Sequence, residues 1–149
     1  MTVKWNADKL IKELARDLEN KIEMASKLIQ AHMKNSLSGK THGRHYNEKT
    51  NRSSAIDEAP KTQSGNLFNS INIKLYPSIL QGDIGSDADY AMNLELGFWD
   101  TDTKSYWQEA DDGYESGVGP RPFLRPALEK SIEDIKRIFG TNEVIVKWM

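Results

Sequence analysis

The feature that most constrains the fold is a long amphipathic stretch near the N-terminus. Apolar residues recur there at three- and four-residue steps from Leu10 to Met33, with charged residues between them. This period predicts one apolar stripe along a helix, and Asn6 fits the N-cap position. A helix of about 27 residues spans roughly 40 Å. This length is more than a chain of this size needs to cover one sheet. We therefore expect part of the stripe, including Leu28, to contact another subunit. The alternative is that the helix covers only the core of its own chain.

The rest of the pattern predicts short elements. Alternating apolar residues indicate a strand at 71–76, a turn at Pro77-Ser78 and a second strand at 79–84. A short helix or strand follows at 87–96, with Asp87 as a candidate N-cap. A final helix has Pro126 in its first turn and Gly140 at its C-terminal cap, and a short strand is expected at 144–148. The fold class is therefore α+β: a long N-terminal helix and a C-terminal helix packed on a small antiparallel β-sheet. At 149 residues the chain is expected to be a single domain.

Two long segments lack apolar periodicity and carry opposite charge. The loop at about 35–58, expected to be mobile, lies mostly in a basic stretch, where residues 34–53 hold five cations against Glu48 for a net charge of +4. The irregular loop at about 98–119 is acidic, and residues 83–115 hold ten carboxylates against Lys104 for a net charge of −9. Such blocks concern partners rather than the fold.

Several function classes are excluded or disfavoured by residue content. The chain has no cysteine, which excludes disulfides, thiolate metal sites and cysteine nucleophiles. No apolar stretch approaches the roughly 20 residues of a membrane span, and residues 1–6 run directly into charged helical sequence, so neither a membrane partner nor a signal segment is expected. No phosphate-binding glycine loop or common catalytic motif is present. His42 and His45 leave open one alternative, a small metal-dependent hydrolase or nuclease that uses this loop and nearby carboxylates.

Three sequence blocks in a fixed order carry a resemblance. The first is Ala59-Pro60 followed by Ser-Gly-Asn-Leu-Phe-Asn-Ser-Ile at 64–71, the second is Tyr-Ala-Met-Asn-Leu-Glu-Leu-Gly at 90–97, and the third is Pro-Arg-Pro-Phe-Leu-Arg-Pro-Ala-Leu at 120–128. Together with the long N-terminal helix before them, they resemble the gene-product-ten tail-component family of tailed phages. The resemblance covers about residues 1–140.

The resemblance implies a structural virion protein and no enzyme. Members of this family join head to tail or complete the tail as a ring in the neck, with DNA passing through, so the implied partners are further copies of this chain. A hexamer is favoured over a dodecamer. Neighbouring neck proteins (a connector or stopper, and a tail terminator or tail tube) are the other partners, DNA is contacted only passively, and no cofactor or metal is expected. The implied location is the neck or tail of the virion, after assembly in the host cytoplasm.

The blocks also suggest contact residues. Glu95 lies two residues before Gly97, which suits either close approach of a subunit or a turn, and Arg121 and Arg125 are each followed by proline, which stiffens their backbone. We expect all three side chains at a subunit interface, and Gly65 in a turn conformation that most residues avoid.

The charge blocks suggest a second contact. Lys49 and Arg52 of one subunit would meet Asp111 and Asp112 of the next, which would guide encounter and register. Large aromatic residues of the acidic loop would supply the binding energy: Trp99, Tyr106, Trp107 and Tyr114. The alternatives are that the acids line the central channel and keep DNA from adhering, or that both loops are merely solvated.

Overall fold

The computed structural model describes residues 6–39, 54, 57–62, 64–97, 108–109, 115–116 and 119–145, and for 108–109 and 115–116 the backbone alone. Across these residues the chain forms four α-helices and two antiparallel strand pairs, so the predicted α+β class is confirmed. In this part of the chain no helix combines the length and the apolar character needed to cross a bilayer.

Helix α1 (Ala7–Leu37) is the longest element, and α4 and the first strand pair both pack against it. Its N-cap is Asn6 as predicted, since the Asn6 side chain accepts a hydrogen bond from the backbone N–H of Lys9 at 3.0 Å. With 31 residues it spans about 46 Å.

The helix continues one turn beyond the predicted end, and the loop expected from residue 35 begins later. Leu37 lies four residues after Met33 on the same stripe, and both side chains are fully buried. Asn35 and Ser36 have low helix propensity, so the sequence predicts a loop from residue 35, but burial of Leu37 outweighs that propensity.

Strands β1 (Ile71–Tyr76) and β2 (Gln81–Ser86) form an antiparallel hairpin. β1 is confirmed, whereas the prediction that β2 begins at Ile79 is wrong. Residues Pro77–Ile79 form one 3₁₀ turn and Leu80 adopts φ +52°, so pairing resumes only at Gln81. The hairpin lies close on α1, because a Cβ at Gly82 would come within 2.6 Å of the Ser26 hydroxyl oxygen.

Two short helices and one longer one complete the domain. Helix α2 (Asn66–Ser70) follows Gly65, whose φ of +82° confirms the predicted turn conformation. Helix α3 (Ala91–Leu96) starts after Tyr90 rather than being capped by Asp87, whose carboxylate instead accepts a hydrogen bond from the Asn72 side chain. Helix α4 (Leu124–Phe139) ends at Gly140 with φ +68°, as predicted.

The remaining predictions concern the acidic loop and the C-terminal end. Within the loop expected to be irregular, β3 (Gln108–Glu109) pairs with β4 (Glu115–Ser116), a local hairpin that the pattern did not indicate. The predicted last strand is absent from 141–145, although Val144 packs on the core; residues 146–149 lie outside the described part.

The core is centred on the C-terminal half of α1. It combines one stripe of that helix with residues from every neighbouring element, and small residues on α4 let the two helices approach closely. Its buried apolar members are Ala25, Ile29, Met33, Leu37, Leu67, Ile71, Ala91, Phe123, Ala127 and Ile135.

Candidate functional site

The N-terminus of α4 has no hydrogen-bond acceptor from its own N-cap side chain. The N-cap residue is Phe123, whose side chain is buried and cannot accept a hydrogen bond from the first turn. A helix leaves its first four backbone N–H groups without partners inside the helix. In α4 the fourth of these positions is Pro126, which has no N–H, so three donors require an acceptor from elsewhere.

Glu95 of α3 supplies that acceptor. One carboxylate oxygen, Oε2, accepts from the backbone N–H of Phe123 at 2.8 Å and of Leu124 at 2.9 Å, and Oε1 accepts from that of Arg125 at 2.8 Å. Its negative charge also lies at the positive end of the helix dipole, where an anion is favoured. A single half-buried side chain thus satisfies the entire first turn of α4. We call this arrangement the Glu95 clamp.

The backbone around the clamp fixes the position of Glu95. The backbone N–H of Arg121 donates to the carbonyl oxygen of Leu94 at 2.6 Å, which ties the third sequence block to α3. Gly97, two residues after Glu95, has φ +79°, a conformation that glycine adopts readily and that turns the chain away from α3. Of the two uses suggested for Gly97, the turn is therefore observed.

Arg121 extends the same junction toward two other segments. Its guanidinium donates to the carbonyl oxygens of Ser54 at 3.2 Å and Gly119 at 3.3 Å, and the side chain is half-buried. The backbone N–H of Asp57 donates to the carbonyl oxygen of Pro120 at 2.8 Å. Arg121 therefore holds its own chain together, a role that the sequence pattern did not reveal.

All three sequence blocks meet at this junction. A cleft of about 330 Å³ beside it is lined by Pro60, Gly65 and Leu67 of the first block, Tyr90 and Leu94 of the second, and Arg121 of the third. Leu67 and Ile71 enter the core after the Gly65 turn. The hydroxyl of Thr62, another lining residue, is buried and, within the described part of the chain, makes no hydrogen bond. The blocks are thus parts of one packing unit.

A histidine and a serine join the two long helices. His32 Nδ1 of α1 lies 2.8 Å from the hydroxyl oxygen of Ser131 of α4, and that hydroxyl donates to the carbonyl oxygen of Ala127 at 2.7 Å. Ser131 is fully buried and its proton is already engaged, so it accepts from the Nδ1–H of His32. Such a serine cannot reach a substrate, and the pair is a link between helices.

The described residues offer little other acid–base or metal chemistry. They contain no group of three or more His, Asp or Glu side chains arranged to hold a metal. On the outer face of α4 the hydrogen bond from Lys136, with the Lys136 charge, lowers the pKa of Glu133 below its usual value. Glu133 is fully exposed in an i,i+3 pair, the pattern of a surface ion pair rather than of a proton donor in a cleft.

The N-terminal half of α1 is left uncovered. Leu10, Ile11 and Leu14 are 44%, 62% and 54% exposed, although they continue the stripe that is buried from Ala25 onward. The hairpin tip ends beside α1 at about Glu19 to Glu23, so nothing in the described residues covers the first three turns.

A second uncovered apolar surface lies at the other end of α1. A groove of about 280 Å³ runs between α3 and the start of α4, with Met33, Ala91 and Phe123 among its lining residues. Met92 and Leu96 also line it and are 70% and 54% exposed. We call it the α3–α4 groove.

The predicted contact residues divide into two groups. Glu95, Arg121, Arg125 and Leu28 are described: Leu28 is half-buried, Arg125 is exposed, and Glu95 and Arg121 make the intrachain bonds given above. Their use between subunits stays a prediction. The others lie outside the described residues: Lys49, Arg52, Trp99, Tyr106, Trp107, Asp111, Asp112 and Tyr114, as do His42 and His45 of the hydrolase alternative.

The sequence pattern does not reveal the Glu95 clamp, because Glu95 and the residues that it binds lie 28 to 30 positions apart in sequence. One signal could have found it: a helix whose N-cap is phenylalanine needs an acceptor from another element.

Comparison of the chain with protein-family models, with curated proteins and with solved structures finds no match.

Proposed function

We propose that the chain is a structural subunit of a tailed-phage virion. It assembles into a ring in the neck, a hexamer rather than a dodecamer, joins or completes the tail, and lets DNA pass through without catalysis. Its neighbours are a connector or stopper on one side and a tail terminator or tail tube on the other. It is built in the host cytoplasm and stays in the virion.

The observation that carries this proposal is the uncovered apolar face of α1. Burying apolar surface is favourable by roughly 25 cal/mol per Å², so a stripe left in water over three turns favours association. A contiguous apolar face of this kind marks an interaction site in a protein that folds around its own core. The buried half of the same helix already supplies that core, so the exposed half is available for a partner.

The sequence blocks point to which kind of assembly. They occur in the order seen in the tail-component family, and the clamp and cleft give each block a packing role in this chain. A rigid junction of this sort suits a subunit that must hold one shape within a ring. The hydrolase alternative depends on His42 and His45, and no contact in the described residues favours it.

The purified chain tests the proposal by mass photometry and negative-stain electron microscopy. We expect particles of one ring size with a central opening. We also expect no hydrolysis of single- or double-stranded DNA with Mg²⁺, Mn²⁺ or Zn²⁺. A chain that stays monomeric at high concentration and cleaves DNA with a divalent metal would contradict the proposal and support the hydrolase.

Placement in the virion has its own test. Mass spectrometry of purified particles should find the chain, and a gold label on an added tag should lie at the neck. Absence from finished particles would overturn a virion role.

A further inference from the structure

Helix α3 packs weakly against the rest of the fold. It has six residues, well short of the roughly 12–15 that an isolated helix needs for even marginal stability in water. Ala91 is its one buried residue and Leu94 is half-buried, whereas Met92 and Leu96 are 70% and 54% exposed. Apolar packing therefore contributes little to holding α3 in place, and its position depends largely on hydrogen bonds.

Those hydrogen bonds all lead to one place. Within the described part of the chain, two sets of bonds join α3 to other elements. They are the three bonds of the Glu95 clamp and the bond from the Arg121 backbone N–H to the carbonyl oxygen of Leu94. Their partners are the first turn of α4 and a residue directly before it. Releasing α3 therefore removes the acceptor of that turn, so the two segments must open together.

The chain changes from firmly held to weakly held directly before α3. The backbone N–H of Asp87 donates to the carbonyl oxygen of Ser70 at 3.2 Å, and the Asp87 carboxylate accepts from the Asn72 side chain. These bonds fix Asp87 to the base of the β1–β2 hairpin. An exposed turn at 89–90 follows, and Gly97 with φ +79° lies at the other end of α3. The backbone can therefore turn at both ends of α3 without disturbing the hairpin.

We infer that α3 is a latch, which opens and closes as one local unit with the first turn of α4 while the core around α1 stays folded. Such units open at a lower free energy than the whole domain. Ala91, Met33 and Phe123 line the same groove, and all three are buried while the latch is closed. The open state exposes Met33 and Phe123 and widens the α3–α4 groove. The latch thus sets how much apolar surface this end of the chain presents.

Cysteine labelling tests the latch directly, because the chain has no cysteine of its own. Ala91→Cys on α3 and Ala25→Cys on α1 are matched positions, since each alanine is 8% exposed. We expect Ellman's reagent to modify Ala91→Cys faster than Ala25→Cys by about tenfold or more. The Ala91→Cys rate should depend little on added urea, because a local opening exposes little surface. Adding Glu95→Ala should speed the Ala91→Cys reaction by about tenfold or more, because it removes three of the bonds that hold the latch.

Two labelling results would overturn the latch. Equal rates and equal urea dependence for the two thiols would show that Ala91 becomes accessible only when the whole domain unfolds. An Ala91→Cys rate that Glu95→Ala leaves unchanged would show that the clamp does not hold α3.

Hydrogen exchange of the unsubstituted chain guards against a thiol that itself loosens α3. Mass spectrometry with electron-transfer fragmentation resolves single amides. The amides of Leu94 and of residues 123–125 should share one opening constant, and they should exchange faster than the amides of α1 from Ala25 onward. Protection of Leu94 equal to that of the α1 core would overturn the latch. Fast exchange of Leu94 with residues 123–125 still protected would overturn the coupling of α3 to α4.

Discussion

At the scale of single residues, Glu95 joins two helices that are distant in sequence. Its carboxylate accepts three backbone hydrogen bonds at the start of α4, and no side chain of α4 replaces it there. Glu95→Ala leaves these donors unsatisfied and should lower the free energy of unfolding by about 2–3 kcal/mol. Glu95→Gln keeps one acceptor oxygen but places its amide N–H₂ group next to one of the three backbone N–H donors. We therefore expect it to lower the free energy of unfolding, by less than Glu95→Ala does.

Urea unfolding followed by circular dichroism measures these losses. Glu129→Gln is the matched control, because Glu129 is an exposed carboxylate on α4 away from the first turn. We expect it to change stability by less than about 0.5 kcal/mol. Equal stability of Glu95→Ala and wild type would show that the clamp does not hold α4.

Thr62 offers a test in the stabilising direction. Its hydroxyl is buried and makes no hydrogen bond to any described residue, and a desolvated hydroxyl of this kind costs about 1–3 kcal/mol. Thr62→Val has a similar shape and removes that hydroxyl, so we expect the melting temperature to rise. Thr141→Val is the control. Its melting temperature should not rise, because the Thr141 hydroxyl donates to the carbonyl oxygen of Glu143 and accepts from its backbone N–H. A lower melting temperature for Thr62→Val would reveal a partner for its hydroxyl.

At the scale of elements, the hairpin depends on close contact with α1. A Cβ at Gly82 would come within 2.6 Å of the Ser26 hydroxyl oxygen and 3.1 Å of an Ile22 methyl group, so Gly82→Ala must push the strands away from the helix. We expect a loss of about 1–3 kcal/mol in unfolding free energy. Gly85→Ala, in the same strand with open space at the Cβ position, should be neutral. Equal stability of the two variants would contradict this packing.

The sequence predicted elements better than it predicted where they end or meet. The period of α1, its Asn6 cap, β1 and the Gly140 cap depend on local patterns, and the structure has each of them. The end of α1 at Leu37 depends on burial of that side chain against other elements. The start of β2 at Gln81 depends on the left-handed backbone of Leu80. A short stretch of neighbouring residues does not reveal either feature. The Glu95 clamp and the role of Arg121 depend on contacts between distant segments and could not be predicted from spacing.

At the scale of the whole molecule, helix α1 has a C-terminal half that packs in the core and an N-terminal half that is exposed. Residues from Ala25 to Leu37 organise the core, and residues from Leu10 to Leu14 continue the same stripe into solvent. Across the described residues, the core therefore forms without these exposed side chains. The central claim is that this surface is an assembly face, and it can be separated from folding because the side chains there contribute little to the core.

Sedimentation velocity of two matched double variants tests that claim most directly. Leu10→Gln with Leu14→Gln removes two of the three exposed apolar side chains of the face, whereas Lys12→Gln with Arg16→Gln makes the same number of changes on the opposite face, and glutamine keeps the helix in both. We predict that the leucine variant sediments as a monomer with wild-type thermal stability, while the lysine–arginine variant still forms rings. Rings of unchanged size and affinity in the leucine variant would contradict the account.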